Sequence, residues 1–195
     1  MPDSTLSEPI ILKGFERREW TIMAAAVFAI ALGIRLACFT GLIADDDMGY
    51  ANYARQISEG TYQLEPHHFA IRYGVIVPVG VFYRLFGLSE WTTVILPLIC
   101  SSLAAVFAAL LAGRLSGLVG AWVAGLLMAT SPMEVRYASV LLPEPVLQAE
   151  LLAGALLFLF AERRNSIILG LAAGIFFGLA YLTKEPGAFV AVAFF

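Results

Sequence analysis

Three short stretches hold the ionisable groups of this chain that could do chemistry. They are Asp45-Asp46-Asp47-Met48-Gly49-Tyr50, Pro143-Glu144-Pro145 and Thr183-Lys184-Glu185-Pro186. Each lies beside a long apolar run, so each is expected where a membrane-crossing helix meets the headgroup layer. Charges at such a boundary are costly to keep and call for a functional explanation. Carboxylates can take up a proton or hold a cation, and a lysine can balance an anion. Each stretch also has a plain structural alternative. The Asp triplet can cap a helix, Glu144 can complement a helix dipole from the first turn, and Lys184 can anchor a helix by snorkelling.

The elements that must position these groups are apolar helices. Hydrophobic residues make up 60% of the 195 positions and charged residues 14%, against about 45–50% and 25% in soluble domains. From Trp91 to Ala112 there is no charged side chain, enough to cross a hydrocarbon core of about 30 Å. The pattern predicts an all-α, multi-pass transmembrane bundle with spans near 20–43, 91–112, 117–133, 145–161 and 166–183. A sixth begins near 187 and stops after about half a span, so the chain reads as a truncated or fragmentary protein. Residues 1–19 are expected to form a polar cytoplasmic tail, and residues 20–195 one membrane domain. The first apolar run is too long for a cleavable signal and reads as an anchor.

Orientation follows from the basic residues. An inside N-terminus gathers Lys13, Arg17, Arg18, Arg114, Arg163 and Arg164 on one side, in short connections of basic charge. The other side receives Arg55, Arg72, Arg84, Arg136 and Lys184 together with nine of the 15 acids, Asp45, Asp46, Asp47, Glu59, Glu65, Glu90, Glu134, Glu144 and Glu185. The three chemical stretches then share the outer face. Within the outer loop, 44–90, two helices are expected to lie on the membrane. One opens at the Asp triplet, carries Tyr50, Tyr53, Ala54 and Ile57 on one face, and stops at Glu59-Gly60. The second, Phe69 to Phe86, has Pro78 in its middle and Arg72 and Arg84 near its ends.

Inside the spans, Arg35 stands near the outer end of the first and can snorkel. Glu150 needs a partner or a proton. Cys38 and Cys100 both lie in apolar runs and do not read as a disulfide. His67-His68 lacks other spaced ligands and is a weak metal signal. The net charge of −3 gives no reason to expect nucleic acid as a partner.

In order and spacing, four stretches resemble the GT-C superfamily of membrane glycosyltransferases, specifically its family 39-like group of protein O-mannosyltransferases and aminoarabinose transferases. They are Asp46-Asp47-Met48-Gly49-Tyr50 with Ala54-Arg55; Arg72-Tyr73-Gly74 through Leu85-Phe86-Gly87; Ser131-Pro132 with Tyr137-Ala138-Ser139 and Glu144-Pro145; and Gly170-Leu171 through Gly178-Leu179-Ala180-Tyr181-Leu182-Thr183-Lys184. The second acidic position is usually Asp in that group and is Glu144 here. Ile71-Arg72-Tyr73-Gly74 stands where the group commonly has Pro-Pro or Lys-Pro. The resemblance implies an integral protein of a bacterial inner membrane. Its partners would be the bilayer, a polyprenyl-phosphate sugar donor and a protein, lipid or glycan acceptor. The reaction implied is inverting transfer to an acceptor hydroxyl outside the cytoplasm. Asp46 would be the base, with Asp47 orienting it or raising its pKa. Tyr50, Arg55, Arg72, Glu144 and Lys184 would contact substrate, the three cations facing the phosphate. A divalent metal shared by Asp46 and Glu144 also fits. The competing readings are a transporter or lipid flippase, in which Asp46, Glu144 and Glu150 relay protons or bind a cation, and a non-catalytic remnant.

Overall fold

A computed structural model describes residues 17–43 and 45–192. The described chain is a helical bundle: α1 (Arg17–Ala37), α2 (Asp46–Glu59), α3 (Tyr73–Phe86), α4 (Glu90–Thr130), α5 (Pro132–Tyr137), α6 (Pro143–Arg164), α7 (Ile167–Thr183) and α8 (Gly187–Val192). Among the described residues, Arg18–Ala37, Glu90–Thr130 and Pro143–Arg164 are long and apolar enough to cross a membrane. Tyr73–Phe86 and Ile167–Thr183 are shorter apolar helices. Most of the proposed polar tail, residues 1–16, and the final residues 193–195 lie outside the described residues.

The 41 residues of α4 do not form one rod. Gly117 has φ 72° and ψ −166°, a combination that essentially only glycine adopts. The chain reverses there. A methyl group built on Gly113 would lie 2.9 Å from Ala121 Cβ, and one on Gly125 would lie 3.0 Å from Ala109 Cβ. Both pairs are centred on residue 117, as in an antiparallel hairpin. In a straight helix, residues eight apart would be separated by about 12 Å. The two expected spans 91–112 and 117–133 are therefore the two arms of α4. The second arm runs 118–130, ended by Ser131-Pro132, because proline lacks the N–H needed to continue.

Helix α1 packs along both arms. Met23, Val27 and Ala31 are fully buried against Ala105, Ala109, Ala121 and Ala129. The small residues on α4 let the three backbones approach closely, which is the usual basis of helix packing in lipid. This first helix ends at Ala37, six residues short of the end expected at 43. The reason is lateral capture of its continuation: Leu42 N–H donates to Glu90 Oε1 (2.9 Å) and Ile43 N–H to Asp47 Oδ2 (2.7 Å). Phe39 stacks on Trp91 at 4.4 Å between ring centroids.

Arg35 does not snorkel. It is fully buried, with Nε donating to Ser101 Oγ (2.8 Å) and Nη1 to the carbonyls of Ala31 (3.0 Å) and Ala129 (3.2 Å). Ala129 belongs to the last turn of α4, where carbonyls lack partners within the helix and the dipole is negative. The guanidinium thus ties α1 to both arms of the hairpin.

Helices α6 and α7 form a second antiparallel pair, turned at Asn165 with φ 47°. Helix α2 lies on α3 through Tyr50, Tyr53 and Ala54 against Val75, Ile76, Val79 and Tyr83. The expected face and stop of α2 are both present, Gly60 closing it in the left-handed conformation. The second loop helix begins only at Tyr73, four residues later than expected, because residues 66–71 turn tightly and His67 and Ala70 amides bond locally.

Substituting Gly117 by alanine is expected to destabilise the hairpin by ~1–3 kcal/mol, since a Cβ is unfavourable at that backbone geometry. The checking measurement is a lowered unfolding midpoint in detergent. Gly178, which has open space around it, serves as the control and should tolerate alanine.

Candidate active site

The helix ends sort the charges of the bundle. Trp20 lies against Gly113, so the start of α1 meets the Gly117 turn. Arg114 of α4 stacks over Phe160 of α6 at 4.3 Å, and Arg164 faces the same ring at 5.8 Å. This is the basic end. The opposite end receives the loop helices α2 and α3, the start of α6 and the end of α7.

There, two of the three chemical stretches meet directly. Glu144 stands second in α6 and Lys184 immediately follows α7. Lys184 Nζ donates to Glu144 Oε1 at 2.6 Å. The other carboxylate oxygen, Oε2, is buried with no hydrogen-bond partner. Glu144 also borders a cavity of about 380 Å³ with Glu134, Tyr137 and Gln148.

Arg72 precedes α3 and reaches back to α2. Its Nη1 donates to Tyr50 Oη, and its guanidinium carbon lies 5.6 Å from the Tyr50 ring centroid. Tyr50 is fully buried, so Arg72 is held by a rigid partner, while its Nε is buried and unbonded. Arg72 and Lys184 line one cleft of about 200 Å³ together with Ile71, Tyr73, Tyr181 and Glu185. Tyr73 and Leu182 of that cleft also line an apolar groove of about 470 Å³, whose other walls include Gly74, Val77, Pro78, Leu103, Phe107 and Val146. A cleft holding the charged side chains of Arg72, Lys184 and Glu185 therefore adjoins a hydrocarbon-lined groove. Gly74 lies directly against Thr183, which brings the start of α3 onto the end of α7.

The Asp triplet divides by burial. Asp47 is 1% exposed. Its carboxylate accepts three backbone N–H groups, from Ile43 (2.7 Å), Asp45 (2.8 Å) and Met48 (2.9 Å). Asp47 thus folds the loop around the start of α2. Asp46 is exposed and stands one turn before Gly49 and Tyr50, positions whose Cβ atoms lie about 5–6 Å apart on a helix. Arg55 is not brought to this cluster. Nine residues after Asp46, at ~100° per residue, it lies half a turn around α2, and pairs with Glu59 at 3.1 Å on the exposed surface.

A polar lining that the sequence reading did not identify joins the loop to α3. Tyr53 Oη donates to Glu65 Oε2 (2.6 Å), Tyr62 Oη donates to the Ala70 carbonyl (2.8 Å), and Tyr73 Oη lies 3.3 Å from Tyr62 Oη. The spacing of these tyrosines carries no periodic signal across the turn at 60–72. Glu150 half-faces the apolar groove, with Oε2 buried and unbonded. Among the described residues no three His, Cys, Asp or Glu side chains gather as metal ligands.

A family model described as dolichyl-phosphate-mannose-protein mannosyltransferase matches residues 79–195, from within α3 to the last residue. The chain belongs to this family. No curated protein and no solved structure matches it. As a mannosyltransferase-family protein of GT-C type, it is an integral membrane glycosyltransferase that uses a lipid-linked sugar donor. The matched region includes Glu144 and Lys184, while the Asp triplet and Arg72 precede it.

Burial, followed by the neighbouring Tyr73 hydroxyl, pushes Tyr62 up to about 12. Tyr53 is raised as well, chiefly by its hydrogen bond to Glu65. An unfolded tyrosine ionises near 10, so the folded loop holds these protons more tightly. The resulting stability is complete below pH ~10 and is lost as pH rises towards 12. Phenolate absorbance should show late-titrating tyrosines that Tyr62→Phe reduces in number. Equal titration of all tyrosines near pH ~10 would contradict the buried cluster.

Proposed function

We propose that the chain transfers a sugar from a polyprenyl-phosphate donor to an acceptor hydroxyl on the extracytoplasmic side, inverting the anomeric centre. The observation that carries this reading is the meeting of Arg72 and Lys184 in one cleft, with Glu185, beside the apolar groove under α3. A lipid phosphate needs both environments, cations for its head and hydrocarbon walls for its tail.

In the proposed step the acceptor oxygen bonds to the anomeric carbon as the bond from that carbon to the phosphate oxygen breaks. The acceptor proton passes to a carboxylate, and the electron pair of the broken bond leaves on the phosphate. Asp46 is the assigned base: it is exposed, like Asp45, but unlike Asp45 it stands on the first turn of α2, while Asp47 is occupied by three amides. Proton removal by a positioned carboxylate contributes about 10²–10⁴-fold to such reactions. Arg72 and Lys184 stabilise the departing phosphate. Tyr50 aims Arg72, and Glu144 holds Lys184 while leaving Oε2 free for a sugar or acceptor hydroxyl. Arg55, paired with Glu59 on the exposed side of α2, is left out of the proposed step.

The outward placement of this site rests on charge. The basic end with Arg114, Arg163 and Arg164 lies opposite the acidic cluster, and short basic connections favour the cytoplasm. The acceptor class follows from neither the cleft nor the groove.

Asp46→Asn is expected to lower transfer of radiolabelled mannose from polyprenyl-phosphate mannose by about 10²-fold or more in membranes containing the protein. Unchanged transfer in the inserted variant would remove Asp46 from the mechanism. Lys184→Met should weaken donor use more than Arg55→Met, which should act like wild type.

A further inference from the structure

Residues 67–69 form an aromatic platform that the transfer step above does not use. His67 and His68 stack at 4.4 Å with an interplanar angle of 28°, and both rings rest on Phe69, at 4.6 Å and 4.0 Å between centroids. Phe69 in turn lies directly over Gly49, in a space that a Cβ would fill, and contacts Tyr50 edge-on at 4.6 Å. Gly49 follows Asp46 by three residues on the same face of α2. Through Phe69 on Gly49 the platform is anchored on α2 about one helical turn along from the exposed Asp46.

The two histidines are not arranged as a metal pair. Stacked rings direct their nitrogens side by side rather than towards a common point. His67 Nδ1 is also occupied, accepting the Phe69 N–H at 3.3 Å. That bond assigns the imidazole proton to Nε2, which becomes an outward hydrogen-bond donor. Both histidines are exposed, so aromatic surface is left uncovered beside a carboxylate and an N–H donor. A pyranose has the complementary chemistry: a face of C–H bonds for the electron-rich face of a ring, and a rim of hydroxyls for donors and acceptors.

We propose that the His67–His68–Phe69 stack is a pyranose platform that holds a sugar ring against its aromatic surface within reach of Asp46. The proposal rests on Asp46 marking the transfer site. The ring it holds comes either from the donor or from a glycan acceptor, since both present the same face.

The test uses the full chain in detergent and three probes: a short-chain prenyl-phosphate mannose, the same prenyl phosphate without sugar, and methyl mannoside as acceptor. Calorimetric titration compares wild type, His67→Ala/His68→Ala and the aromatic replacement His67→Phe/His68→Phe. The alanine pair is expected to weaken the mannosylated lipid about 3- to 10-fold, with sugar-free lipid unchanged and phenylalanine restoring most of the loss. That result identifies the donor sugar as the ring held. Unchanged donor binding with a similar, aromatic-rescued loss for methyl mannoside identifies the acceptor instead. The proposal is overturned if neither sugar probe is affected, if wild type does not distinguish sugar-bearing from sugar-free lipid and does not bind methyl mannoside, or if both lipids weaken equally. Asp46→Asn is measured in parallel for transfer. Retained transfer in that variant with a platform-dependent sugar affinity would refute Asp46 as base while leaving the sugar platform standing.

Discussion

The buried guanidinium of Arg35 is the constraint around which the site end of the bundle is organised. An unpaired charge among apolar helices costs several kcal/mol, so the helices must bring it acceptors. Ser101 comes from the first arm of α4, Ala129 from the end of the second, and Ala31 from its own helix. Ser101 Oγ also lies 3.4 Å from the Glu134 carbonyl, which extends the connection to α5. One side chain thereby ties α1 to both arms of α4 where the chain turns at Ser131-Pro132 towards α6 and Glu144.

Backbone geometry supplies the complementary constraint at the other end. The reversal at Gly117 allows two arms of α4 to lie on α1, with alanines and glycines at the crossings. The bundle then has the Gly117 and Asn165 turns with Arg114 and Arg164 at one end, and the loop helices with Asp46, Asp47 and Glu144 at the other. The loop helices complete the acidic end because apolar residues of α2 and α3 bury each other. Asp47 and Glu90 pin the connection from α1 by accepting its amides. Function follows from this segregation: Arg72 and Lys184, 112 residues apart in the sequence, meet in one cleft, and the groove beside it is built from four different helices.

Much of this was readable in the chain because the bilayer penalises unsatisfied backbone so heavily that long apolar runs have one solution. The helical class, the face and end of α2, and the location of the hairpin turn between two apolar runs all follow from local pattern. The end of α1 was not readable from hydropathy, since residues 38–43 are largely apolar; the chain leaves the helix there with Gly41 at φ 78°, and the carboxylates of nearby Asp47 and distant Glu90 take its amides. Arg35 misled for the same reason. Its position near a span end suits snorkelling, whereas the acceptors that turn it inward lie 66 and 94 residues away.

The candidate site divides along the same line. Sequence alone singled out the Asp triplet, Arg72, Glu144 and Lys184, since charged groups at the edges of apolar runs are conspicuous. The different roles given to Asp46 and Asp47 came from the family resemblance, and the structure adds their surroundings: Asp47 is buried on three amides and Asp46 is exposed. Sequence alone could not place Arg55, which pairs locally with Glu59 and whose direction depends on how α2 seats on α3. Local composition and hydrophobic period determined the membrane helices and the candidate charges. Tertiary packing decided which charges face one another, because the pairing distances are set by helix ends that only the folded bundle brings together.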